Sequence, residues 1–178
     1  MKKISIAFIS LIATSAMANT TVVNFDDLSG SGTLANGYGG INWNNNFQYY
    51  DYAQFPYTAA SGAERAYANF AGNPTFSFAT PVAFDGMDFA GYGIFGPVSY
   101  EMYLGASLVA TSGPLVESST PTWLGSGYGG QVDSVKLIGN PYYTVMDNVT
   151  YRSSSVPGPA AVLPMLGGLI AIARKRRK

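Results

Sequence analysis

Short runs of alternating apolar and polar residues, separated by turn-forming residues, dominate the middle of this chain. In the clearest run, every second residue from Val98 to Leu104 is apolar, which is the period of a strand with one buried face. Glycine, proline or asparagine separates most of the runs, and helical periodicity is scarce. We therefore predict an all-β domain, an antiparallel β-sandwich or jelly roll. The other predicted strands are 20–25, 41–44, 47–50, 75–78, 82–89, 107–111, 132–138 and 142–151.

Two residue types are absent and exclude several kinds of chemistry. The chain has 178 residues with no Cys and no His. Disulfides, thiolate metal sites, His-ligated zinc and Ser-His-Asp triads are therefore excluded. A hydrophobic content of 47% and an aromatic content of 14% argue against a disordered chain and indicate one domain with an aromatic core.

The charges are sorted along the chain. The formal net charge is zero, but Lys2 and Lys3 precede the first acid and the last five residues are all basic. The interior holds all ten carboxylates and only Arg65, Lys136 and Arg152, which leaves it at about −7. We expect the interior to repel nucleic acid and the two basic ends to act as targeting elements.

The N-terminus has the three parts of a secretory signal peptide. Lys2 and Lys3 precede an apolar run over 4–12, which is too short to span a bilayer. Ala16 and Ala18 supply the small residues of a cleavage site. We predict a signal peptide over 1–18 and export of the protein; a buried first strand is the alternative.

The C-terminus, 153–178, combines a linker, an extended stem, an apolar run and the basic tail. The stem reads Val156-Pro157-Gly158-Pro159-Ala160, and its prolines disfavour a helix. A helix over 160–173 would be about 21 Å long at about 1.5 Å per residue, short of a bilayer core of about 30 Å. We predict transient membrane anchoring with the basic tail in the cytoplasm.

This order of stem, short helix and basic cluster resembles the PEP-CTERM protein-sorting signal. The usual Glu of Val-Pro-Glu-Pro is Gly158 here, so the tail is more similar to a variant group with Val-Pro-Leu-Pro-Ala. The resemblance implies an exported protein of a Gram-negative bacterium, processed by an exosortase-type membrane protease. It implies an inner-membrane-anchored precursor that becomes a cell-surface or extracellular protein. A plain membrane anchor or an incidental apolar tail is the alternative.

The domain over 19–152 resembles exported bacterial jelly-roll domains of the carbohydrate-binding-module type. Three segments carry the resemblance. They are Phe25-Asp26-Asp27-Leu28, Tyr38-Gly39-Gly40-Ile41-Asn42-Trp43 and Met146-Asp147-Asn148-Val149-Thr150-Tyr151. The resemblance implies the jelly-roll fold more strongly than it implies a function.

Such modules often hold a structural Ca²⁺ between the first strand region and an acid of the last strand. The resemblance therefore implies a calcium site at Asp26 or Asp27 and Asp147. Backbone carbonyls and Asn24 or Asn148 would supply further oxygens, because calcium takes about six to eight. The alternative is that Asp26 and Asp27 form a turn and that Asp147 lies at a strand edge.

Exposed aromatic rings are the candidates for glycan binding. Trp43 alternates with Ile41 and is expected to face inward with it, which leaves Tyr49, Tyr50 and Tyr52 as the predicted platform. The alternative is that these rings fill the core. A platform of this kind would contact envelope or matrix polysaccharide.

We expect a structural or adhesive protein of the cell envelope or extracellular matrix. The alternative is a carbohydrate-binding module with a defined glycan site. A polysaccharide hydrolase is a distant third, with Asp85 and Asp88, or Glu101 and Glu117, as possible acid pairs. We expect no enzymatic activity and no cofactor other than calcium.

Overall fold

The computed structural model describes residues 19–69 and 72–153. This part of the chain forms eleven β-strands and three 3₁₀ helices, Tyr38–Gly40, Gly93–Phe95 and Pro141–Tyr143, and contains no α-helix. The strands are β1 (Asn19–Val23), β2 (Ser31–Thr33), β3 (Ile41–Asn42), β4 (Phe47–Tyr50), β5 (Arg65–Ala68), β6 (Thr75–Gly91), β7 (Ser99–Leu104), β8 (Ser107–Thr111), β9 (Thr122–Gly125), β10 (Val132–Ile138) and β11 (Thr144–Ser153).

The predicted targeting elements lie outside the described residues. This holds for the signal peptide with Ala16 and Ala18, and for the sorting motif of Val156, Pro157, Pro159 and Ala160 with the anchor helix after it. Among the described residues, no helix is long and apolar enough to cross a membrane.

The strands pair in one antiparallel sheet. Its order is β2-β4-β5-β11-β6-β10-β7-β8, with β1 beside β11 and with β3 and β9 beside β6. Every strand pair in this part of the chain is antiparallel. The prediction of an antiparallel all-β fold is confirmed.

Strand β6 is 17 residues long and joins two parts of the sheet. Its first part pairs with β3 and β10, whereas the part from Val82 to Gly91 pairs with β11 and β9. The register with β10 shifts between Ser77 and Val82, and residues 79–81 are exposed there. Pro81 fits at this shift because it has no N–H to give to a ladder.

The main core lies between these two parts, which gives a sandwich-like arrangement. Phe84 of β6 packs against Tyr100 of β7 with ring centroids 5.1 Å apart, and it also contacts Phe76 at 5.9 Å. The hydroxyl of Tyr100 donates a hydrogen bond to the carbonyl of Leu124 over 3.0 Å. Trp43 is fully buried among other rings, on the inward face that its alternation with Ile41 predicts.

An irregularity interrupts the ladder between β6 and β11. The register shifts between Asp147 and Thr150, where Asn148 has a φ of 50° opposite the region of Gly86. Gly86 has a φ of 143°, and a Cβ there would lie 2.2 Å from the carbonyl oxygen of Leu124. A glycine is therefore required at this position.

Candidate functional site

A second, smaller apolar cluster lies on the outer face of the sheet. Tyr50 of β4, Ala90 of β6 and Val145 of β11 form it, and Tyr57 and Tyr67 pack against it. Successive side chains of a strand point to opposite faces, so these residues face away from the main core. This part of the outer face thus carries aromatic side chains.

These side chains line a cleft of about 240 Å³, which we call the tyrosine cleft. Tyr52 is 58% exposed and Tyr142 is 44% exposed, so the cleft is open to solvent. The Tyr50 ring lies 4.6 Å from the Tyr52 ring and meets the Tyr67 ring edge-on at 5.5 Å. The lining residues are Tyr50, Tyr52, Gln54, Tyr57, Tyr67, Tyr142, Tyr143, Thr144 and Val145.

The structure places the three tyrosines of the predicted glycan platform in two groups. Tyr50 and Tyr52 line the tyrosine cleft together. Tyr49 points to the opposite face of β4, where its ring packs against the main core, and a Cβ at Gly32 would lie 3.0 Å from its hydroxyl. Tyr49 lies outside the cleft because one residue along a strand reverses the face.

The loop over residues 51–64 forms one wall of the cleft and is held at two points. The guanidinium of Arg65 donates to the carbonyls of Ala63 (2.7 Å) and Tyr52 (2.5 Å). Farther along the loop, the backbone N–H groups of Ala60 and Ser61 each donate to Asp147 Oδ2 over 2.8 Å. The loop therefore holds Tyr52 and Tyr57 in fixed positions relative to the sheet.

A second cleft, of about 320 Å³, adjoins the first, and we call it the arginine cleft. Gln54 and Tyr57 line both clefts, whereas Arg65 and Asp51 line the arginine cleft. The guanidinium of Arg65 lies 4.0 Å over the Tyr50 ring. A cationic group thus sits where the two clefts meet.

Three phenol groups of the tyrosine cleft are held in the protonated form by their surroundings. Burial raises the pKa of Tyr50, Tyr57 and Tyr67 above the usual value of 10.0, and for Tyr50 the nearby Arg65 opposes that rise. The hydroxyl of Tyr67 donates to Oε1 of Gln48. The cleft therefore presents aromatic faces together with neutral hydroxyl groups.

The three acids of the predicted calcium site lie in one region beside the 51–64 loop. Asp147 is 2% exposed, and its Oδ1 accepts a hydrogen bond from the N–H of Asn148 over 2.7 Å. Asp26 lies against Gly62, where a Cβ would fall 1.9 Å from Asp26 Oδ1. Asp27 accepts a hydrogen bond of 2.5 Å from the hydroxyl of Tyr38, and the pKa of Tyr38 is raised by burial first and then by all three acids.

The donors around Asp147 already occupy both of its carboxylate oxygens. Burial raises the pKa of Asp147 to about 6, while hydrogen bonds from Ser61, Asn148 and Ala60 favour the charged form. Among the described residues, no group of three or more acidic side chains has an arrangement that could hold a metal ion. Asp147 Oδ1 accepts one hydrogen bond and has a second lone pair, so these contacts do not decide the question and the calcium site stays a prediction.

The four acids considered for hydrolysis lie apart from both clefts. Asp85 pairs with Arg152 over 2.8 Å, and Glu101 pairs with Lys136 over 3.1 Å. Asp88 accepts a hydrogen bond of 3.0 Å from the amide of Asn148. Glu117 is buried, and burial raises its pKa. None of the four lines either cleft.

Sequence reasoning missed several residues of the clefts. The sequence predicts Tyr142 and Tyr143 only as part of a strand, yet both line the tyrosine cleft, and Tyr143 stacks on Phe95 at 4.0 Å. In the sequence, Arg65 is only one of three basic residues of the interior. Its rarity in an acidic domain was the one available signal.

Flat rings, neutral hydroxyls and one cation give the joined clefts a definite chemistry. Such a surface packs against the C–H faces of a sugar ring and forms hydrogen bonds with its hydroxyls. The exposure of Tyr52 and Tyr142 suits a segment of an extended polymer. Searches against models of protein families, curated proteins and solved structures each found no match to this chain.

Proposed function

We propose that this is an exported protein of the cell envelope or extracellular matrix that binds polysaccharide through the tyrosine cleft. The observation that carries the proposal is the convergence of six tyrosines on one open cleft of the outer sheet face. The role of the protein is structural or adhesive, and it does not cleave the polymer. The domain would be a jelly roll of the carbohydrate-binding-module type, a proposal supported by the passage of β6 between two parts of the sheet.

The arrangement of the rings favours a defined glycan site over diffuse adhesion. Tyr50 and Tyr67 are held edge-on by the sheet, and Arg65 fixes the backbone at Tyr52. Rings held in this way lose little conformational entropy when a ligand binds. A held platform therefore favours one polymer over others, which diffuse surface contacts would not do.

Binding to a panel of neutral and acidic polysaccharides, with calcium present, tests this proposal. We expect saturable binding to one class of polymer and a 5- to 30-fold weaker affinity for Tyr52→Ala, corresponding to about 1–2 kcal/mol for an exposed aromatic contact. Trp123→Ala is the matched control, because Trp123 is 44% exposed and lies outside both clefts.

Three results would contradict the proposal. They are no binding to any polymer, equal loss of affinity in Tyr52→Ala and Trp123→Ala, and release of reducing ends from a bound polymer. The last of these would indicate a hydrolase.

The sorting of the protein gives a separate prediction. If an exosortase-type protease cleaves at the Val156-Pro157 stem, the mature surface protein lacks the residues beyond about Val156. Removal of the signal peptide would also leave Asn19 as its first residue. Intact-mass measurement of the extracellular form checks both ends at once, and finding Lys178 on that form would contradict the proposed sorting.

A further inference from the structure

Arg65 is a buried cation without an anionic partner among the described residues. It is 3% exposed, and its guanidinium donates to two backbone carbonyls, those of Ala63 and Tyr52. Its Nε is buried and has no hydrogen-bond partner in the part of the chain that the structure describes. Buried charges are normally paired with an opposite charge, so this arrangement calls for an explanation.

The other two basic residues between 19 and 153 are each paired with an acid, although both are much more exposed than Arg65. Lys136 pairs with Glu101, and Arg152 pairs with Asp85. Arg65 forms no ion pair with any residue in the described part of the chain, although that part holds all ten carboxylates. Even Glu64, which precedes it in the chain and is also buried, forms no ion pair with it.

The position of Arg65 couples its charge to the proposed glycan site. It lines the arginine cleft, and its guanidinium lies 4.0 Å over the ring of Tyr50, which lines the tyrosine cleft. Asp51 also lines the arginine cleft, where its Oδ2 accepts a hydrogen bond of 2.8 Å from the N–H of Gly30. The arginine cleft therefore contains a cation that its own acid does not neutralise.

We propose that the arginine cleft binds the carboxylate of an acidic sugar, so that the polysaccharide recognised by this protein contains uronic acid residues. This inference rests on the proposed function, because the sugar ring that carries the carboxylate would lie on the neighbouring tyrosines. The planar guanidinium matches a carboxylate, and its charge has no acidic partner among the described residues. A neutral polymer would leave that charge without an anion.

The test uses the wild-type protein and changes only the ligand. Polygalacturonate, alginate and hyaluronate are each compared with the same polymer after reduction of its carboxylates to primary alcohols. We expect at least one acidic polymer to bind about tenfold or more tightly than its reduced form. We expect that preference to shrink only in part between about 50 and 500 mM NaCl, because salt screens a contact with a buried guanidinium much less than a contact between exposed charges.

Two variants locate the effect at Arg65. Arg65→Lys keeps the charge but loses the planar fork, and Arg65→Met loses both, so we expect the preference for the acidic polymer to fall in both variants and to vanish in Arg65→Met. Thermal melting shows whether each variant folds. If Arg65→Met does not fold, the comparison of acidic and reduced polymers with wild-type protein still decides the question.

The possible failures are distinguishable. If acidic and reduced polymers bind with equal affinity, and Tyr52→Ala weakens the binding of both, the carboxylate site is overturned and the proposed function stands. Equally tight binding of dextran sulfate would overturn the assignment of a carboxylate. Absence of binding to every polymer would overturn both proposals.

Discussion

Replacing Trp43 by alanine is expected to lower the free energy of unfolding by about 3–5 kcal/mol, the usual cost of removing a large buried aromatic side chain. Trp43 is fully buried, and its ring centroid lies 5.3 Å from that of Phe47 and 5.6 Å from that of Phe76. Its Nε1–H also donates to the carbonyl of Tyr38 over 3.0 Å. Urea denaturation of wild type and variant measures the difference.

Trp123→Ala is the control for this stability measurement. Trp123 is 44% exposed, so we expect its removal to cost less than about 1 kcal/mol. A cost for Trp43→Ala that is no larger than the cost for Trp123→Ala would contradict the position of Trp43 in the core. It would also make Trp43 available as a surface platform for a glycan, which its burial in the core excludes.

Asp147 is expected to make the stability of the protein fall as the pH rises from about 4 to 7. Its pKa is about 6 in the folded protein and near the ordinary value of 3.8 in the unfolded chain. Between these values the folded state holds a proton that the unfolded state has lost. The stability from this group is fully present below about pH 3.8 and is lost as the pH rises through about 6, by about 2–3 kcal/mol.

Urea denaturation between pH 4 and 7 measures this fall. Asp147→Asn carries no charge at any pH, so this part of the pH dependence disappears in that variant, whatever its absolute stability. Asp133→Asn is the control, because Asp133 accepts from the N–H of Gly105 on another part of the sheet. The same pH dependence in wild type and Asp147→Asn would contradict the role of Asp147.

The same measurement tests the calcium site predicted at Asp26, Asp27 and Asp147. A bound cation would favour the charged form of Asp147 and remove the fall in stability near neutral pH. Free calcium at about 100 times its Kd would add about 2.7 kcal/mol to the stability. Identical stability in calcium and in chelator at pH 7 would contradict the calcium prediction.

Strands with strong alternation could be predicted from the sequence, and strands made by backbone pairing alone could not. The run at 98–104 matches β7 (Ser99–Leu104), and the predicted runs 47–50, 107–111 and 132–138 coincide with β4, β8 and β10. Strand β2 is Ser-Gly-Thr, with no apolar alternation, and forms by pairing with β4. Strand β5 relies on the small residues Ala66 and Ala68, which are buried although alanine has a low strand preference.

The predicted runs 75–78 and 82–89 form one strand, β6. Pro81 separates them in the sequence and normally indicates a break. In the structure the strand continues through it, because the register with β10 shifts at that point. A proline ends a strand only where the neighbouring strand needs an N–H donor at that position. A single sequence does not show which strand is the neighbour or how it is aligned.

Part of the candidate site is formed by residues that lie far apart in the sequence, and this part could not be predicted. Tyr50 and Tyr52 could be predicted as platform residues from local spacing. Which of Tyr49 and Tyr50 faces the core, and which faces outward, could be known only from the register of β4. Tyr142 and Tyr143 reach the same cleft from the other end of the domain. Arg65 became visible as a candidate only when its missing acidic partner was seen, because charge pairing is a property of the folded chain.

The most direct test of the glycan site is to map where the polysaccharide contacts the protein. Two-dimensional NMR of the isotope-labelled protein, titrated with an oligosaccharide of the tightest-binding polymer, gives this map for backbone and side-chain groups. We predict that the largest chemical-shift changes occur at Tyr52, Gln54, Tyr57, Arg65 and Tyr143, which line the two clefts. Changes concentrated around Trp123 or on the opposite part of the sheet, with these residues unaffected, would contradict the account.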